Sequence, residues 1–97
     1  MNLVYKNYLV EALTRSGKIA EALSLSRAIS ERHPRDANNW FDFGVLAVIQ
    51  KKENLALERF QKAISLGINE KAIFEDEPLI LEFRKSKAFK LLEKHLK

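Results

Sequence analysis

The stretch Asn39-Trp40-Phe41-Asp42-Phe43-Gly44-Val45-Leu46-Ala47, followed by Ala56-Leu57-Glu58-Arg59-Phe60, decides how the chain folds. At about 100° per residue, Trp40, Phe43 and Ala47 fall on one face of a helix. Ala56, Phe60 and Ala63 fall on one face of a second helix. Asp36 or Asn38 is placed to cap the first of these helices, which runs to about Lys51. Asn54 is placed to cap the second, and Gly67 to end it. Small residues such as Ala56 and Ala63 let two helix backbones approach, while Trp40, Phe43 and Phe60 fill the hollows between them. The spacing predicts two helices packed as a hairpin.

Written as Trp40-x2-Phe43-Gly44-x2-Ala47 and Ala56-x3-Phe60, these residues resemble the tetratricopeptide repeat. That family's pattern is Trp-x2-Leu-Gly-x2-Tyr, then Ala-x3-Phe. Here Phe43 stands for Leu and Ala47 for Tyr. The resemblance implies an all-α fold: a short right-handed α-solenoid of antiparallel helical hairpins. It also implies a kind of work, holding another polypeptide, without naming the partner.

Working outward, a slide of 34 residues lays Leu9 on Phe43, Ala22 on Ala56, Leu23 on Leu57 and Pro34 on Ile68. This gives one degenerate unit over about residues 3–36 and a second over 37–70. The first unit departs from the family at Lys6 (for Trp), Val10 (for Gly) and Ser26 (for Phe), but Gly17, Ala22-Leu23 and Pro34 keep the spacing. Its helices stop near Ser16-Gly17 and before Pro34, since the residue preceding proline is pushed out of helical geometry. A third unit fails, because Glu77-Pro78 stands where the Leu-Gly pair belongs and an interior proline costs a helix about 3 kcal/mol. Residues 71–97 resemble instead the tail that closes many tetratricopeptide arrays. Asp76 is placed to cap a short helix with Pro78 in its first turn. Ser86 is placed to cap a last one, with Phe89, Leu92 and Leu96 along its apolar stripe.

In the family, the first helix of each hairpin lines the concave groove. That places Asn7, Tyr8, Glu11 and Arg15 from the first unit in the groove, with Asn38, Phe41, Asp42, Val45, Val48 and Ile49 from the second. An apolar groove floor has two readings. It binds a peptide or a partner protein, or it is filled by the chain's own tail or by a second copy, giving a homodimer or a docking segment of a larger protein. The family's two-carboxylate clamp for chaperone tails is not expected, since Glu11 and Asp42 stand in its asparagine slots and would repel a carboxylate.

The bulk numbers fit a single domain. The chain has 97 residues, 46% of them hydrophobic and 31% charged, and its three Gly and two Pro argue against disorder or an all-β fold. Without cysteine there is no disulfide framework or thiolate metal site. The net charge of +4 is uneven, with six basic residues against Glu93 alone over residues 84–97. A basic tail suggests RNA or an anionic surface. That reading ranks behind a solvated helix face, because Phe89 is needed by the core. No enzyme, cofactor or metal site is expected: His33 and His95 lack helix-spaced partners, and Gly17-Lys18 lacks the glycine-rich loop of a phosphate cradle. The start of the chain carries no secretory signal pattern, so a cytoplasmic location is expected.

Overall fold

Two hairpin turns with the same hydrogen bonds, 34 residues apart, organise the molecule. In the computed structural model, which describes residues 2–97, Gly17 N–H donates to Thr14 O (3.1 Å) and Lys18 N–H to Leu13 O (2.9 Å). Lys51 N–H donates to Val48 O (2.9 Å) and Lys52 N–H to Ala47 O (2.9 Å) in the same way. Both turns place one residue in the left-handed region, Gly17 at φ 80° and Lys51 at φ 62°. Such a turn satisfies the last carbonyls of the helix it ends and reverses the chain.

The turns join α1 (Leu3–Arg15) to α2 (Ile19–Arg32) and α3 (Ala37–Ile49) to α4 (Glu53–Ser65). A short α5 (Lys71–Glu75), two 3-10 turns (Pro78–Ile80 and Phe83–Lys85) and α6 (Lys87–Glu93) follow. No strand occurs among the described residues. The architecture is all-α, a short solenoid-like stack in which α2 packs on α3 and α6 on α4.

Several sequence expectations about caps change. Asp36 precedes α3, but its carboxylate makes no capping bond and instead accepts from Asn7 Nδ2 (3.0 Å). Asn54 lies inside α4, which starts directly after the Lys51 turn. Glu77, not Asp76, caps the first 3-10 turn, accepting from Leu79 N–H (3.1 Å) with Pro78 next in the chain. Ser86 caps α6 as expected, accepting from Phe89 N–H (3.2 Å).

The small and large slots pack as their chemistry requires. A Cβ on Gly44 would stand 2.5 Å from Phe60 Cε1, so only glycine lets α3 and α4 approach this closely. Between the hairpins, Val10, Ala22, Ile29, Phe43 and Leu46 form one core. Ser26, which the 34-residue offset matches to Phe60, is buried there. It donates to Asn39 Oδ1 (2.8 Å), and Asn39 Nδ2 donates back to Ser26 O (3.0 Å). The larger core joins α3 and α4 to the tail: Phe60 meets Phe74 and Phe83 at 5.4 Å each, and Phe83 meets Phe89 at 6.1 Å. The tail also closes on its own start, since Lys97 N–H donates to Asn69 O (2.8 Å) and Lys71 N–H to Lys97 O (3.0 Å).

Candidate functional site

Helical spacing aligns Val4, Tyr8 and Glu11 along one side of α1, with Asn7 beside them. The equivalent side of α3 carries Asn38, Phe41 and Asp42. The chain leaving α4 returns past both helices and adds Ile68 and Ile73. Together these nine side chains line an open cleft of about 300 Å³. Six of the ten residues expected in the groove meet there: Asn7, Tyr8, Glu11, Asn38, Phe41 and Asp42.

The rest of the expected groove is closed. Phe41 is only 9% exposed and Val45 3%, because the C-terminal segment covers them. The Phe41 ring packs against Phe60 (5.5 Å) and edge-on to Phe74 (5.1 Å). Val45 joins the same cluster with Ile80, and Val48 and Ile49 are partly buried against it. Of the two readings of this face, the chain's own tail fills it, and the expectation that Phe41, Val45, Val48 and Ile49 form an open binding floor is corrected. Phe74, Leu79 and Ile80 supply the matching apolar surface, and burying it in the chain's own core removes it from water without any partner. Phe41 still borders the cleft, though almost all of it is buried.

Arg15 secures that closure. Its Nη2 donates to Glu77 Oε1 (2.7 Å), Nη1 reaches Oε2 (3.4 Å), and Nε donates to Glu11 Oε1 (3.3 Å). The bond to Glu77 raises the Arg15 pKa above its ordinary value, with lesser support from Glu11. Arg15 is thus a latch between α1 and the tail rather than a free groove residue.

Asp42 has no such partner. No hydrogen bond or ion pair reaches its carboxylate among the described residues, and burial pushes its pKa up to about 7. The charges of Glu11, Glu77 and Asp36 add to that rise, and Arg15 alone opposes it. Beside it, Asn7 Oδ1 is buried without a donor, while its Nδ2 is committed to Asp36. The cleft therefore holds a half-buried carboxylate and a buried amide oxygen, neither reached by a donor, with Val4, Ile68 and Ile73 as its apolar side.

Nothing in the local pattern pointed to Ile68, Ile73 or Glu77 as parts of this region, because their positions depend on how the tail folds back. Val4 had a signal, standing one helical turn before Tyr8. Away from the cleft, Lys85, Lys87, Lys90, Lys94 and Lys97 are exposed, and Phe89 is buried beneath them. No group of three acidic or histidine side chains is placed to hold a metal ion among the described residues, and no helix there is long and apolar enough to cross a membrane. Comparison with family models, curated proteins and solved structures finds no match to this chain.

Proposed function

We propose that the chain is a tetratricopeptide-type binding module that holds a short segment of another polypeptide in the α1–α3 cleft, with a cationic side chain of that segment seated on Asp42. Support for the family reading comes from the Trp40–Phe60 pattern and from the 34-residue offset of the two turns. The observation that carries the ligand reading is the half-buried Asp42 carboxylate, which no donor reaches, lining the same cleft as the buried, donorless Asn7 Oδ1. A ligand suited to it brings N–H donors and positive charge, which is the inverse of a carboxylate-terminated tail.

Magnitudes favour a modest binder. An aliphatic side chain buried against Val4, Ile68 and Ile73 contributes about 1.5–3 kcal/mol. A hydrogen bond to a charged group adds about 1.5–3 kcal/mol. After ordering an extended segment, micromolar dissociation constants are the expected range.

The test is a set of capped peptides with leucines flanking one central position, occupied by Lys, Arg, norleucine or Glu. Lys and Arg peptides should bind about tenfold tighter than the norleucine peptide, a difference near 1.4 kcal/mol. The substitution Asp42→Asn should level that preference. If no peptide of the set binds, the groove reading fails. If all bind alike, the cationic preference fails and the groove stands.

A further inference from the structure

A second surface lies on the outer side of α1. Val4 and Tyr8 are 73% exposed and Tyr5 56%, and with Leu9 and Ala12 they border an open hollow of about 400 Å³. In a chain that is 31% charged, this stripe carries no charge at all.

The fold itself shows what such a face is built for. The 34-residue offset of the two hairpin turns carries Tyr5 onto Asn39, Leu9 onto Phe43 and Ala12 onto Leu46. Asn39, Phe43 and Leu46 are buried, and they pack on α2 of the preceding hairpin. The outer side of α1 is thus the stacking face of a hairpin with nothing stacked on it. At the other end of the molecule the matching face is sealed. The same offset carries Ala22, Ser26 and Ile29 of α2 onto Ala56, Phe60 and Ala63 of α4, which lie under Phe74, Phe83 and Phe89. Copies of this chain therefore cannot stack head to tail, because the cap occupies the receiving surface.

We propose that the α1 face is a self-association surface, on which a second copy docks its own α1 antiparallel across a two-fold axis. A two-fold contact sets the stripe against the same stripe of the other copy, so any charge in it would be buried against apolar side chains. The stripe has none. Antiparallel pairing with Tyr8 and Leu9 flanking the axis lays Tyr5 of one copy over Ala12 of the other, a large side chain over a small one. Two tyrosines carry about 150–250 Å² each, so the contact lies below the ~800 Å² per partner of a standard interface. The association is accordingly weak and concentration-dependent. Since Val4 and Tyr8 also border the α1–α3 cleft, the pair brings two clefts side by side.

Sedimentation equilibrium from about 10 µM to about 1 mM tests this, the range in which a small interface dissociates. The wild type should shift from one to two copies and no further. Tyr5→Glu and Ala12→Glu lie on the stripe but outside the cleft. Each sets a carboxylate against the apolar stripe of the other copy, where it is desolvated without a partner, and should weaken the pair by at least about tenfold. Thermal melting of the dilute variants, which loses nothing if these residues serve only the contact, should match the wild type. A wild type that stays single at the highest concentration overturns the proposal and leaves the face to a different protein. So does a pair that both variants leave intact, or a species larger than two.

Discussion

Asp42 ties the stability of the fold to pH through a single side chain. Its carboxyl titrates near pH 7 in the folded protein, against about 4 in an unfolded chain. Between those values the folded form holds more protons, so stability falls as pH rises through the window and is lowest above it. At pH 8 the deficit is on the order of 2–4 kcal/mol. Urea denaturation should show the wild type more stable at pH 5 than at pH 8, with Asp42→Asn removing most of that difference by gaining at pH 8. Burial is the main cause of this behaviour, the charges of Glu11, Glu77 and Asp36 add to it, and Arg15 is the single opposing charge. A ligand cation would act as Arg15 does, but without being shared.

At the scale of elements, the hairpin turns carry the repeat more faithfully than the side chains do. Gly17 and Lys51 occupy the same left-handed position, yet only glycine does so without steric penalty. Lys51→Gly should stabilise the protein by about 1 kcal/mol, read as a higher denaturation midpoint at unchanged slope. Gly17→Ala should lose a similar amount. The hairpins were legible in the sequence because Trp40, Gly44, Ala56 and Phe60 report contacts between neighbouring helices, which spacing alone encodes. The cap at Ser86 was legible for the same local reason. Asn54 misled, since the Lys51 turn starts α4 before it. Phe41 and Val45 misled more deeply. A helix with two apolar faces needs two covers, and periodicity does not say whether the second is a partner or the chain itself. Of the site, the α1 and α3 residues other than Val4 could be read directly, while Ile68, Ile73 and Glu77 depend on a fold-back that local pattern does not carry.

For the whole molecule, the tail is a structural third of the core rather than an appendage. Phe74 touches Phe41, Phe60 and Phe89, and Arg84 donates to the carbonyls of Phe74 and Glu75. Phe74→Ala should destabilise the protein by about 3–5 kcal/mol, measured by urea unfolding, because the fully buried ring leaves a cavity beneath three others. The tail also limits what the groove can hold: it fills the floor at Val45 and leaves open the cleft at Asp42. Function on this account rests on that remainder. The most direct measurement is calorimetry of the lysine-centred peptide at pH 7 in two buffers of different ionisation enthalpy. A cation on Asp42 lowers its pKa, so binding should release about half a proton in the wild type and none in Asp42→Asn. Binding with no proton release in the wild type, or with equal release in both proteins, would contradict a cation seated on Asp42.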